Sequence, residues 1–262
     1  MLGILNTIIY QPIFNGLLFL QKTLPGHDLG ISIILITVVI KTLLFTPSLA
    51  AIRASRQLQT LQPKLKAIQE KYKNDKETLA KEQMKLYKDS KVNPLSSCLP
   101  TVLQLVVFIY LYQVFINGLK IGTDGLLQAE QLKNVYPALR DYFATHVINT
   151  MFLGFVSLTA KHNIILALIA GASQFWQSKM LAAPKEPKIK DAKDESMTSS
   201  INKQMMYLLP VMMAYFGYTF PAGLALYWVV STCFTIGQQY FFMRRHPVVI
   251  EAAPALNDGK TV

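Results

Sequence analysis

Leu29–Ile52 reads LGISIILITVVIKTLLFTPSLAAI, a run of 24 residues whose one charge is Lys41. About 20 mostly apolar residues rising 1.5 Å each cover the hydrocarbon core of a bilayer, so the run is long enough to cross one with Lys41 deep inside. An ammonium at that depth costs about 3 kcal/mol or more, and such groups usually face a bundle interior or a water-filled cavity. Lys41 therefore either lines a wet space or snorkels its stem toward a headgroup region and nearby carbonyls.

Four further apolar stretches, at about Leu99–Gly118, Asn163–Ala182, Met205–Thr219 and Ala222–Met243, make five expected crossings, and none of the five contains an Asp or Glu. With 52% hydrophobic and 16% charged residues and a mean hydropathy of +0.30, the composition is that of a polytopic membrane protein. Residues 1–28 are interrupted by Asn6, Gln11, Pro12, Asn15 and Gln21 but keep an apolar face of Ile8, Ile9, Ile13, Leu17, Leu18 and Leu20. This pattern predicts an amphipathic helix lying along the membrane surface. A basic leading segment and a small-residue cleavage site, the marks of a secretory signal, are not read there.

The expected division is 1–28 interfacial helix, 29–52 first span, 53–93 hairpin, 94–120 second span, 121–161 external loop with short helices, 162–182 third span, 183–203 cytoplasmic loop, 204–243 fourth and fifth spans, and 244–262 tail. The short fourth span, with Pro210, predicts local bilayer thinning. Of the 26 Lys and Arg, twenty fall in 53–91, 179–203 and the tail, Lys41 lies within the first run, and the opposite side carries only Lys22, Lys120, Lys133, Arg140 and Lys161. By the positive-inside rule the amino terminus lies outside and the carboxyl terminus in the cytoplasm. The net charge of +11 is then mostly cytoplasmic, where it either fixes topology alone or also attracts anionic lipid headgroups and RNA phosphates.

Within 53–93, Leu58, Leu61, Leu65, Ile68 and Tyr72 recur at spacings of 3, 4, 3 and 4, one stripe along a helix. Asn74 and Asp75 mark a turn, Asn74 with Glu77 resembles a cap, and a second helix is expected to run through Leu79, Met84, Leu86 and Tyr87 until Asn93 and Pro94 stop it. The segment folds back as an antiparallel pair whose charged surface is either simply solvated or a docking platform. Pro184, Pro187 and mixed charges mark 183–200 as a flexible loop.

Cys98 and Cys233 lack CxxC spacing, and His27, His146, His162 and His246 form no ligand-spaced pair. No metal site, disulfide framework, cofactor signature or catalytic motif is read, which argues against an enzyme. Gln104, Gln174, Gln177, Ser231, Thr232, Thr235, Gln238 and Gln239 place amides and hydroxyls at membrane depth. Singly such groups bridge helices; together with Lys41 they could wet one side of a groove. Proton relays and ion-coupled carriers want intramembrane acids, and transporters want repeats or broken helices in pairs; neither is read. A small-solute transporter and a lipid scramblase are the alternatives weighed.

Five stretches in order carry a resemblance: Ile40-Lys41-Thr42-Leu43-Leu44-Phe45-Thr46-Pro47; Leu61-Gln62-Pro63-Lys64-Leu65 with Ile68-Gln69-Glu70-Lys71-Tyr72; Leu86-Tyr87-Lys88 through Val92-Asn93-Pro94-Leu95 and Cys98-Leu99-Pro100; Phe175-Trp176-Gln177-Ser178-Lys179; and Phe220-Pro221-Ala222-Gly223-Leu224-Ala225-Leu226-Tyr227-Trp228. From about Tyr10 to Arg245 the chain resembles the YidC/Oxa/Alb membrane protein insertases of the short bacterial kind. The resemblance implies an all-α, five-transmembrane-helix bundle with an interfacial helix and a cytoplasmic hairpin, in the bacterial inner membrane, around a hydrophilic groove open to cytoplasm and lipid.

It implies a substrate groove at Lys41, Gln104, Gln177, Tyr227, Trp228 and Ser231, and cytoplasmic docking at Arg53, Arg56, Lys64, Lys66, Lys71 and Lys73. The implied partners are nascent membrane proteins, with the ribosome and the Sec translocon besides anionic lipids, and no DNA. Lys41 stands where the family has a groove arginine, so the charge is kept while the guanidinium fork that binds carboxylates in bidentate fashion is lost. The large external domain and extra first span of many Gram-negative members are not in this sequence. Nor is the long basic tail of some relatives, which places any ribosome contact at the hairpin with Arg244 and Arg245.

Overall fold

The computed structural model describes residues 5–93, 99–181 and 197–245. Expectations for Pro94, Cys98, most of the 183–200 loop and the tail beyond Arg245 fall outside the described residues. The fold is predominantly helical. A π-turn, Asn6–Tyr10, runs into α1 (Gln11–Thr23); α2 is Leu29–Leu43, α3 Phe45–Lys71 and α4 Lys76–Asp89. Then come α5 (Leu99–Gln113) with a π-turn at Val114–Gly118, the short α6 (Ala129–Leu132) and α7 (Pro137–Thr145), and a two-stranded antiparallel ribbon of β1 (Met151–Phe152) and β2 (Val156–Ser157). α8 (Ile164–Leu181), α9 (Met197–Thr219) and α10 (Ala222–Arg245) complete the chain. The ribbon is an addition to the all-α expectation.

The decisive run does not form one straight helix. Asp28 caps α2 by accepting from the amides of Gly30 (2.7 Å) and Ile31 (3.0 Å), and α2 then ends at Leu44, where the chain bends by 66° into α3. Pro47 explains the break: it has no N–H, and its ring collides with the carbonyl four residues back, at Leu43. Placed in the first turn of α3 instead, it costs nothing. α3 then continues without interruption into the hairpin, so the expected boundary at residue 53 lies inside a helix. No single helix among the described residues is long and apolar enough to cross a membrane. The bent pair α2 and α3 passes that test together, and Val102–Gly118 is a shorter apolar helix.

α3 and α4 pack on each other through part of the expected stripe. Leu61, Leu65 and Val92 are buried with Leu58, Leu86 and Tyr87 packed on them, while Met84 faces out. Its second helix is capped by Asp75, one residue after the expected Asn74, through Thr78 N (3.1 Å) and Thr78 Oγ1 (2.6 Å). It ends at Asp89, before Asn93. These hydrogen bonds, the hydroxyl first, hold the Asp75 carboxyl below the ordinary 3.8.

α9 also departs from expectation. It begins at Met197 and runs 23 residues, about 34 Å at 1.5 Å each, so the helix extends eight residues ahead of the apolar stretch 205–219. It packs chiefly on α8. The two approach closely because their facing positions are small: a Cβ on Gly171 would lie 2.9 Å from the Ala214 Cβ, and one on Gly217 would lie 3.0 Å from the Ala167 Cα.

α10 is central, touching α8, α2, α3, α5 and α9. The main core gathers Phe14, Leu17 and Leu18 of α1, Leu29 and Ile33 of α2, Leu111 of α5 and Leu224 and Tyr227 of α10. Ile8 and Phe19 face outward instead, so α1 is built into the bundle by one face. Over this core the 119–163 segment forms a crown, tied down by polar groups of α1. Asn15 donates to the Asn134 carbonyl (2.9 Å) and accepts from Tyr136 N (2.6 Å), and Gln21 donates to the Asn149 carbonyl (2.8 Å). Asp28 also accepts from Leu153 N (2.7 Å), and Ala222 N and Gly223 N donate to the carbonyls of Ala160 (2.8 Å) and Leu158 (2.9 Å).

Candidate functional site

Beyond Tyr227 the interior changes character. The inward positions of α10 follow helical spacing: Leu224, Tyr227, Ser231, Thr235, Gln238. The first lies in the apolar core under the crown, and between Ser231 and Gln239 the buried side chains are the polar Ser231, Thr232, Gln238 and Gln239, before buried Phe242. On α2, buried Ile33 and Thr37 lead at the same spacing to half-buried Lys41.

Lys41 Nζ donates to Gln104 Oε1 of α5 at 2.7 Å and to Thr235 Oγ1 at 3.2 Å. It thus points into the bundle rather than along it to a headgroup, and the cation expected to stand alone has two neutral partners. Gln104 is the hub. The same Oε1 accepts from Ser231 Oγ (2.9 Å), and Nε2 donates to the Tyr227 hydroxyl (2.8 Å). Because an ammonium only donates, the amide must present its oxygen to Lys41, which fixes its orientation. Thr235 in turn donates to the Ser231 carbonyl at 2.9 Å. No acidic side chain belongs to this set.

α5 and α2 are not packed backbone against backbone; Lys41 and Gln104 span the space between them. Nearer the hairpin, Ser48 Oγ donates to Gln238 Oε1 at 3.0 Å. Gln238 Nε2 and Gln239 Oε1 are buried without a hydrogen-bond partner among the described residues.

Four of the six expected groove residues, Lys41, Gln104, Tyr227 and Ser231, thus meet in one network. Trp228 stands beside it toward α8, with Nε1 donating to buried Gln174 (3.0 Å) and its ring edge-on to Phe108 at 5.6 Å. Gln177, three residues past Gln174 on α8, is half-buried and outside the network. Thr235, Gln174 and Gln238 enter the site although singly their types suggested packing, and Ser48 joins them unanticipated; the usable signal was the spacing from Ser231 to Thr235 and Gln238 along α10.

The expected docking residues are not a cluster. The Arg53 guanidinium lies 5.8 Å over the Phe242 ring. Arg56 donates to Gln59 Oε1 (3.1 Å), and burial lowers its proton affinity. Lys64 and Lys73 are exposed, and Lys71 sits 5.4 Å over the Tyr72 ring. The Lys66 side chain is outside the described residues. Arg53 and Lys71 are separated by about 27 Å of continuous helix, which makes a basic strip rather than a pocket. Two surface concavities lie apart from the Lys41 network, one of about 280 Å³ beside Met84 and Tyr87 and one of about 460 Å³ beside Phe175 and Trp176.

A helical bundle with an apolar outer surface, in which Ile165, Leu168, Val211 and Tyr215 are all more than 60% exposed, and with a cation held internally by neutral groups, is the build of an integral membrane protein. The chain belongs to the 60Kd inner membrane protein family, whose model matches residues 19–249, and is accordingly a bacterial inner-membrane protein. It is 36% identical over 230 residues to the membrane protein insertase YidC of Streptomyces avermitilis, covering 85% of this chain and 53% of that one. It is 31% identical over 240 residues to that of Oleidesulfovibrio alaskensis, covering 91% and 39%, and 32% identical over 246 residues to that of Pseudomonas putida, covering 94% and 36%. The chain thus spans about half the length of the first of these relatives and less of the other two.

Proposed function

We propose that the chain is a membrane protein insertase that passes polar segments of nascent membrane proteins through the space between α2, α5 and α10. In this reading α2 with the start of α3, then α5, α8, α9 and α10 make five crossings, α1 lies at the outer interface, the crown is external, and the hairpin and carboxyl terminus are cytoplasmic. The observation that carries it is the Lys41 network. It offers a cation bound only by neutral oxygens at membrane depth, beneath an apolar core and crown that close one end, with buried amides leading toward the basic hairpin at the other. The charge bias, the outer apolar surface and the YidC relatives support the same reading.

Mechanistically, the groove shortens the low-dielectric path that a client's polar outer segment must cross. Lys41 attracts acidic residues of that segment, and burial of the client's apolar helix in lipid drives the step at about 25 cal/mol per Å². Neither nucleotide nor covalent chemistry is required. Ribosome, Sec translocon and anionic lipids are the partners the basic strip on α3 and α4 would serve. In a depletion-complementation assay, Lys41→Glu abolishes insertion of clients with acidic translocated tails while Lys41→Arg supports it; normal insertion by the Glu variant refutes the electrostatic role.

A further inference from the structure

We infer that Gln104 is a built-in competitor for Lys41: its amide oxygen occupies the position that a client's carboxylate takes, and so sets how strongly acidic tails are held. The inference rests on the insertase reading. An ammonium has three N–H donors, and two are taken by Gln104 Oε1 (2.7 Å) and Thr235 Oγ1 (3.2 Å). The shorter bond is to a planar carbonyl-type oxygen, the neutral counterpart of a carboxylate oxygen.

Gln104 is also arranged to let go without leaving a buried polar group unpaired. Ser231 Oγ stays on its oxygen at 2.9 Å and Tyr227 receives its Nε2 at 2.8 Å, with Tyr227 and Ser231 each only 1% exposed. When a carboxylate takes Lys41, the amide keeps a partner at each end, so no buried group is orphaned. When the client leaves, the oxygen is already in place to return. A resident carboxylate would hold the cation far more tightly and close the site, while an apolar residue would leave the cation binding acidic tails too long. A neutral oxygen lies between.

The test uses the full chain in inner-membrane vesicles and a single-span client whose short translocated tail carries either Asp or Asn at the same positions, with a photoreactive residue in the tail. The readout is the ratio of crosslinked adduct for the Asp tail to that for the Asn tail. Gln104→Leu raises the ratio about tenfold, the factor that one hydrogen bond to a charged group supports, and Gln104→Met, closer in shape, does the same. Gln104→Glu lowers the ratio at least as much by pairing with Lys41 permanently. Opposite signs at one position cannot come from a merely structural role, because damage moves all three variants together. Loss of the ratio in all three variants, with Lys41→Met also abolishing the Asp preference, overturns the competitor role and leaves the insertase reading standing. An Asp preference that survives Lys41→Met overturns both.

Discussion

Gly223 is the second residue of α10, and the far end of the Phe115 ring lies close against it. A Cβ placed on Gly223 would sit 2.1 Å from Phe115 Cζ and 2.4 Å from Cε1. Ordinary contact begins near 3.4 Å, so in Gly223→Ala the ring must retreat by about 1.3 Å. Phe115 is 6% exposed, in a core shared with Phe14 and Leu111, and has little room. Overpacking of this kind costs about 1–3 kcal/mol, against which the helix-propensity gain of Ala, about 1 kcal/mol in a helix interior, is smaller in a first turn. We expect a net loss of about 1–2 kcal/mol. The apparent Tm of the detergent-solubilised protein then falls by about 2–4 °C for each kcal/mol. If the proposed function holds, strain at the start of α10, which carries Tyr227, lowers insertion as well. Phe115→Leu alone also destabilises, but combined with Gly223→Ala it restores room for the Cβ, and the double variant is more stable than the sum of the single losses by about 1 kcal/mol. Additivity within about 0.5 kcal/mol would show that ring and glycine do not meet as described.

Trp228→Phe removes the donor to Gln174 and leaves a buried acceptor, which costs about 1–2 kcal/mol; Gln174→Leu added to it recovers part of that loss in thermal unfolding. Asp28→Ala loses the α2 cap and the tether to Leu153, about 1–2 kcal/mol, and is read as faster proteolysis within the 147–157 ribbon region; Asp28→Asn, which keeps an acceptor, is milder. Asp75 has a folded pKa below its unfolded value. Its contribution to the hairpin is therefore complete above the ordinary 3.8 and is lost as pH falls through the lower, folded value. Hydrogen exchange at the Thr78 amide accordingly quickens relative to the rest of α4 on acidification, and Asp75→Ala removes that pH dependence.

Much of the bundle was legible because its causes are local. Apolar length gave the helices, and the 3–4 spacing from Leu58 to Tyr72 gave the hairpin. The bend at Leu44 was legible too, for Pro47 names the carbonyl it cannot tolerate, but hydropathy is blind to such sterics. The start of α9 was hidden for the converse reason. Residues 197–204 are too polar to resemble a span, yet they contain no Gly or Pro to end a helix. Asn15 and Gln21 looked like flaws in an amphipathic face; they are buried because the carbonyls they serve lie 119 and 128 residues downstream.

The same distinction governs the site. That the five apolar stretches contain no carboxylate is local information, and it leaves only neutral side chains there to meet Lys41. Which neutral groups answer is not local: Gln104 is 63 residues away and Thr235 is 194, on helices whose approach is set by the core under the crown. Ser231, Thr235 and Gln238 gain their meaning only because α10 turns them toward α5, α2 and α3, where Gln104, Lys41 and Ser48 stand on the other side. A polar residue on a helix reads as packing glue until the facing helix is known. Here the facing helix α2 carries Lys41, and that turns a row of hydroxyls and amides into the wall of a site.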